Sequence, residues 1–456
     1  MRMFRQIISR GFSSNTSAKQ ICIIGSGPAG FYFAQHALKA IPNVQVDMYE
    51  KLPVPFGLVR YGVAPDHPEV KNVIHTFTKT ALNSNFRFIG NVSVGKDIPF
   101  SELCKSYHAV VLAYGCSEDC SLGIKGENLK NTLSARCFVG WYNGLPDNKD
   151  LEVDLSTESV AILGQGNVAV DVARILLTPI DILKKTDITN YAIEALSKSK
   201  IKTVYLVGRR GPLQVAFTIK EFREMTKLPD VKTLFKSEQL NDIESYVSDL
   251  PRARKRLTEL MLKTHGSEQN GSKIFQPLFY RKPVEILGDS AVTGVKFSVN
   301  TIVDHLKGTV ASSEQFENLP CGLVLRSIGY KATCPDEGIP FDTENGRIKD
   351  CPGVYSSGWI NTGPVGVILS TMNNAFKQAA LLAEDIATNK LNTSDTRPGY
   401  QHIGDILKKK GSVIVNFDGW QKIDKVEVER GEKLGKPREK IVSIEEMLKI
   451  GGQVPF

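Results

Sequence analysis

The first 46 positions contain no acidic residue, the cysteines follow no pattern, and no apolar run is long enough to cross a bilayer. Each absence excludes a class. Runs such as "ICIIG" and "AVVLAYG" stop far short of the roughly 20 residues that a membrane helix needs, which predicts a soluble protein. Eight cysteines in 456 residues, at 22, 104, 116, 120, 137, 321, 334 and 351, make neither a disulfide framework nor a zinc pattern, so no metal site is expected. Cys116 and Cys120 lack the two-residue gap of a thioredoxin-like pair, and the segment reads instead as a turn after a strand. The acid-free start, "MRMFRQIISRGFSSNTSAKQ", carries Arg2, Arg5, Arg10 and Lys19 among serines and threonines. It reads as a cleavable mitochondrial presequence over residues 1–17, the alternative being a frayed basic tail. Removing Met1 to Gln20 takes four cations from a net charge of +8. The remainder is too mildly basic to argue for nucleic acid.

Three glycine-rich turns are what the chain does have. In "KQICIIGSGPAGFYFAQHALKA" a β-branched run enters Gly25-Ser26-Gly27-Pro28-Ala29-Gly30, after which apolar residues recur at helical spacing. This is the strand, turn and helix of a dinucleotide-binding unit. The first glycine allows the tight turn, the second lets a pyrophosphate approach the backbone, and the third packs helix on strand. Glu50 closes the next strand, "VQVDMYE", 25 residues beyond Gly25, where an acid can bind ribose hydroxyls. The second turn, "ESVAILGQGNVAVDVARILL", repeats the pattern with Gly164, Gln165, Gly166, Asn167 and Val168. Two fingerprints argue for two dinucleotides. A helical insertion, "TPIDILKKTDITNYAIEALSKSK", then delays the following strand, "KTVYLVG", which ends in Arg209 and Arg210.

An acid at that strand end would repel a ribose 2′-phosphate. Two guanidiniums instead offer it charge-assisted and bidentate bonds, so the second nucleotide should be NADP(H). The other reading is a solvated arginine pair. Glu221, on the helix that follows, can restrain the arginines or receive a ribose or amide group. The third turn, "GVYSSGWINTGPVGVILSTMNNAFKQAALLAEDI", has glycines at 358, 363 and 366 before a long helix from about Val367. Its N-terminus can aim amides at the pyrimidine end of a flavin. Trp359 can lie against a ring system or be core.

The motifs "GSGPAGFY", "YEKLPVPFGLVRYGVAPDHPEVKNVI", "GQGNVAVDVARILLTP", "VGRRGPLQVAFTIKEFREM" and "GWINTGPVGVI" resemble the adrenodoxin reductase family, the mitochondrial FAD-containing NADPH:ferredoxin reductases. The resemblance runs from Ile21 through "GKPREKIVSIEEMLKI". It implies an α/β fold of two Rossmann-like dinucleotide-binding domains in a glutathione-reductase-like architecture, with the FAD domain discontinuous around the NADP domain. The division expected is 18–117 (FAD, first part), 118–330 (NADP) and 331–456 (FAD, second part). Besides Gly25, Gly27 and Gly30, the resemblance assigns Ala29, Glu50, Leu58, Val94, Trp359, Gly366, Val367 and Ile368 to FAD. To NADP(H) it assigns Gln165 to Val168, Arg209, Arg210, Glu221 and Gly366.

Such chemistry needs positioning more than side chains. His67 and Asp171 match family residues near the flavin and can handle a proton or orient water. The plainer readings are a histidine before a Pro-Glu helix start and an acid early in a helix. Arg252, Arg254, Lys255 and Arg256 in "LPRARKRLTELMLK" form a cationic run that is either a solvated face or the docking site of an acidic [2Fe–2S] ferredoxin. Between "GW" and "GP", where many relatives carry a basic residue or two, this chain has Asn361 and Thr362. The expectation is thus an NADPH-dependent reductase of a mitochondrial ferredoxin that supplies a cytochrome P450 or iron–sulfur and haem synthesis. It is expected as a monomer in the matrix, with at most peripheral contact with the inner membrane. The competing readings are an FAD-dependent NADPH monooxygenase and a non-catalytic dinucleotide-binding protein.

Overall fold

The computed structural model describes residues 18–339 and 343–455, so the expected presequence lies outside the described residues. Five parallel strands form the centre of a nine-stranded sheet, in the order Val354–Ser356, Ala109–Leu112, Lys19–Ile24, Val44–Glu50 and Phe86–Gly90. Alternation along the first strand supplies both faces. Ile21 and Ile23 pack with Phe31, Phe77 and Leu382 on one side, while Cys22 and Ile24 pack with Val110 and Ile403 on the other. Both faces are covered, as a parallel sheet requires.

The second sheet has six parallel strands, ordered Thr132–Ser134, Leu323–Arg326, Ser159–Leu163, Thr203–Val207, Lys273–Leu278 and Val231–Thr233. The insertion before Thr203–Val207 folds as the helices Ile180–Leu183 and Asn190–Ser197, as its composition suggested. One face of this sheet is covered by something the sequence did not disclose. A three-stranded antiparallel sheet, Arg281–Leu287, Gly294–Asp304 and Thr309–Pro320, lays Val295, Phe297 and Leu319 onto Ala161, Leu163 and Val324.

The chain crosses from the first sheet to the second and back, and the two crossings pair with each other. Glu118–Asp119 and Tyr330–Lys331 form a short antiparallel ribbon, with Asp119 opposite Tyr330. The unit of the first sheet is therefore discontinuous around the second. Among the described residues no helix is long and apolar enough to cross a membrane, and no group of three potential metal ligands occurs.

Candidate functional site

All three glycine turns deliver a helix whose first turn is not capped by a side chain. These helices are Pro28–Ala40, Asn167–Leu177 and Ile368–Ala387, and none has an acid in its first turn. Uncapped amides carry the positive end of the helix dipole and suit an anion. At the first turn Gly25 has φ +105°, and a Cβ there would lie 2.6 Å from the carbonyl oxygen of Ala113. Gly27, by contrast, has nothing within 4 Å of an added Cβ, so the turn is open on the side from which a pyrophosphate would approach. Glu50 accepts from the Ser26 amide at 3.0 Å, the Ser26 hydroxyl at 2.7 Å and the Leu52 amide at 3.0 Å, which fixes the strand end against the turn.

The third turn meets the first. A Cβ on Gly358 would lie 2.4 Å from Cβ of Ala29, and Asn374 holds the Gly358 amide at 2.8 Å. Around this junction Leu58, Val365, Val367 and Leu369 are exposed, an apolar rim at Gly366 and the helix start at Ile368. Ser357 there has a buried hydroxyl with no hydrogen bond. Trp359 does lie against a ring, that of Tyr330 in the crossing ribbon, with centroids 5.9 Å apart and planes at 21°. Val94 sits deeper, in the core with Ile24 and Tyr49. Asn361 and Thr362 close the short helix after Gly358 through bonds to its carbonyl.

At the second turn Gln165 is committed to the scaffold. Its side chain donates to the carbonyls of Leu206 and Leu278 at 3.1 and 3.2 Å, and its own carbonyl accepts the amides of Ala216 and Phe217. Asn167 accepts the Thr218 amide at 2.9 Å, while Gly166 stays open, with nothing within 4 Å of an added Cβ. Arg209 and Arg210 are exposed at the strand end, and Asn300 and the Tyr280 amide hold their carbonyls. Glu221 does not restrain them; it accepts from the Thr218 hydroxyl. The residues present therefore fit two dinucleotides, each with open glycines and a helix start that no side chain caps, the second with unneutralised cations beside it.

Between the two units lies a cluster that the sequence showed only in part. His67 Nε2 is 2.7 Å from Glu224, across the seam between the units. Asp171 pairs with Arg174 at 2.8 Å, and the same guanidinium reaches back to Asp66 at 2.5 and 3.0 Å. Burial pushes the Asp171 carboxyl up, and Arg174 and His67 reduce that shift without cancelling it. Asp66 goes the other way: burial raises it, but Arg174 outweighs burial and the carboxyl is lowered overall. Asp66, Arg174 and Glu224 were missed. The available signals were the adjacency of Asp66 to His67 and the three-residue spacing of Asp171 and Arg174 on one helix.

The cationic run divides. Arg252 and Arg256 are exposed, whereas Arg254 turns inward to the Val215 carbonyl at 2.6 Å. All eight cysteines are free, and burial raises the Cys116 thiol.

A family described as "Pyridine nucleotide-disulphide oxidoreductase" matches residues 19–217. The chain is 52% identical to the mitochondrial NADPH:adrenodoxin oxidoreductase of Drosophila melanogaster, over 96% of its own length and 95% of that protein's. It is 49% identical to the Homo sapiens protein of the same name, over 97% and 94%. The chain belongs to the NADPH:adrenodoxin oxidoreductase family. Among solved structures, FprA of Mycobacterium tuberculosis in complex with NADPH superposes with a TM-score of 0.90 at 37% identity, covering 95% of this chain and 99% of that one. Family membership makes the chain an oxidoreductase, and the sheets, crossings and glycine turns described above are the expected two-unit α/β fold.

Proposed function

We propose that this chain takes hydride from NADPH onto FAD and passes electrons one at a time to a mitochondrial [2Fe–2S] ferredoxin of adrenodoxin type. The observation that carries the reading is an exposed pair of arginines at the end of the strand after the second glycine turn, with no carboxylate partner among the described residues. When bound, the flavin supplies the chemistry, accepting a hydride and releasing single electrons. The chain supplies binding, orientation and proton handling.

Gly25, Gly27, Ala29, Gly30 and Glu50 hold the FAD pyrophosphate and ribose, with Leu58, Val94, Trp359, Gly366, Val367 and Ile368 along the rest of the molecule. Gln165, Gly166, Asn167 and Val168 present the second helix start to the NADP(H) pyrophosphate. Arg209 and Arg210 take the 2′-phosphate, and Glu221 and Gly366 contact the rest. Asp171, whose carboxyl is raised by burial while the Arg174 guanidinium pairs with its Oδ1, handles the accompanying proton or orients a water. His67, tied through Nε2 to Glu224, handles the accompanying proton or orients water beside it. The exposed Arg252 and Arg256, with Lys255, attract the acidic ferredoxin.

The protein is mitochondrial. We further infer the matrix as its compartment, a monomer as its working form, no nucleic-acid partner, and at most peripheral contact with the inner membrane. The divisions 18–117, 118–330 and 331–456 are supported by the crossing ribbon at Glu118–Asp119 and Tyr330–Lys331. The deciding experiment is anaerobic stopped-flow reduction of the yellow holoprotein. NADPH should bleach the flavin far faster than NADH, and the reduced protein should then reduce adrenodoxin-type ferredoxin. Colourless folded protein that takes up no FAD would refute the reading. NADPH consumption that needs oxygen and an organic substrate, with no transfer to ferredoxin, would make it a monooxygenase.

A further inference from the structure

Arg254, the third residue of the helix Arg252–His265, is half-buried, and its Nη1 donates to the Val215 carbonyl at 2.6 Å. Val215 leads into the segment laid on the second glycine turn, where the amides of Ala216 and Phe217 bond to Gln165 and that of Thr218 bonds to Asn167. The helix Arg252–His265 also packs on Pro212–Gln214, the segment that follows Arg209 and Arg210, so Arg254 stands beside the corner that they occupy. Arg210 is the charge that faces it, and burial together with Arg210 lowers its pKa. Tyr280 closes the corner. Its amide holds the Arg210 carbonyl, and a Cβ on Gly211 would lie 2.5 Å from its hydroxyl.

Among the described residues, none of Arg209, Arg210 and Arg254 has a carboxylate partner. A half-buried guanidinium satisfied by one carbonyl and repelled by its neighbour gains most from an anion placed between the two. We propose that Arg254 is a third ligand of the nucleotide's 2′-phosphate, a specificity-determining residue of the NADP(H) site rather than part of the ferredoxin-docking face. This rests on the placement of the 2′-phosphate at Arg209 and Arg210. It separates Arg254 from the exposed Arg252 and Arg256 of the "RARKR" run: those two face a protein, and Arg254, turned inward to Val215, faces the nucleotide.

The test uses FAD-loaded holoprotein with Arg254→Gln, and Arg254→Lys as a second variant in case the first loses flavin. For each, kcat/KM with NADPH and with NADH, affinity for 2′,5′-ADP against 5′-AMP, and KM for ferredoxin at two ionic strengths are measured. Arg254→Gln should lower the NADPH-to-NADH preference by about tenfold or more, and weaken 2′,5′-ADP relative to 5′-AMP to a similar extent. Arg254→Lys should recover part of that preference, since it keeps a charge but not the fork. The salt dependence of the ferredoxin KM should not change. Equal losses with both nucleotides would overturn the proposal and leave Arg254 as a prop for Val215. An unchanged preference with a raised ferredoxin KM would overturn it by returning Arg254 to the docking face. The double variant Arg209→Gln, Arg210→Gln separates the levels of failure. If it loses the preference and Arg254→Gln does not, this inference alone fails; if neither loses it, the placement of the 2′-phosphate fails as well.

Discussion

Asp187 lies between two lysines that arrive from distant parts of the chain. Lys71 Nζ is 2.6 and 2.7 Å from its carboxylate oxygens and Lys440 Nζ is 3.1 Å away, with all three side chains at most 12% exposed. Burial alone would raise the Asp187 carboxyl, but Lys440 and Lys71 outweigh it and hold it well below its usual range. A carboxyl depressed in the folded state binds fewer protons there than in the unfolded chain. Its stabilisation is therefore complete above the unfolded pKa near 4 and is lost as pH falls through the folded value. Asp187→Asn should cost about 3 kcal/mol at pH 7, since buried Lys71 loses its counter-charge, while Lys440, which burial pushes down to about 7, can shed its proton instead. Urea titration at several pH values checks this: the gap between wild type and variant should begin to shrink below about pH 4, where the unfolded carboxyl takes up a proton that the native one still resists, and close only as pH falls through the lower folded value. Nothing in the sequence showed this triad, because hydrophobic periodicity does not report which charges meet across hundreds of positions. Glu50 was legible for the opposite reason: a strand end has a fixed place relative to the glycine turn beside it.

The glycine turns carry the cofactor sites as complete elements, and their glycines are not equivalent. A Cβ on Gly30 would lie 2.2 Å from the Gly25 carbonyl oxygen, so that position is needed for helix to pack on turn. Gly27 and Gly166 have nothing within 4 Å, and a methyl group there meets only what binds. Gly27→Ala should fold with a thermal midpoint near that of flavin-free wild type yet purify with little flavin, read from the ratio of visible to ultraviolet absorbance. Gly166→Ala should keep its flavin and weaken NADP+ binding about tenfold, measured by titration of the flavin spectrum. Loss of folding in either variant would show that the open side of its turn is structural. All three turns and their helices were legible because their signals are local. The stretch Gln239 to Ser248 was not, since its order comes from a buried side chain. Gln239 donates to the Phe279 carbonyl at 3.0 Å and accepts the Phe279 amide at 3.1 Å, taking the place of a strand partner 40 residues away. The antiparallel sheet Arg281–Leu287, Gly294–Asp304 and Thr309–Pro320 was likewise hidden, because only its contact with the parallel sheet explains its apolar face.

At the scale of the whole molecule, charge does two separate jobs. Across the seam between the units, Arg174 meets Asp66 at 2.5 Å, His67 meets Glu224 at 2.7 Å and Lys71 meets Asp187 at 2.6 Å, all at least partly buried. Lys220 and Glu69, 3.0 Å apart but half-exposed, add little to that seam. The buried pairs set how the nucleotide-bearing unit sits against the flavin-bearing one, and hydride transfer depends on that placement. On the outside, unpaired cations act at a distance instead. Arg252 and Arg256 are four positions apart on one helix and so share a face, both exposed. A field from such a pair raises encounter rates with an acidic protein and is screened within about 10 Å at 0.1 M salt. The double variant Arg252→Gln, Arg256→Gln should therefore lower the ratio of ferredoxin-linked to ferricyanide-linked turnover about tenfold at low salt, chiefly through ferredoxin KM. The same ratio should converge on that of wild type as salt is raised, because the wild type loses its advantage while the variant has little to lose. A deficit that persists unchanged at high salt would mean short-range contacts rather than steering. An equal fall in ferricyanide turnover would place these arginines in the flavin or nucleotide site instead.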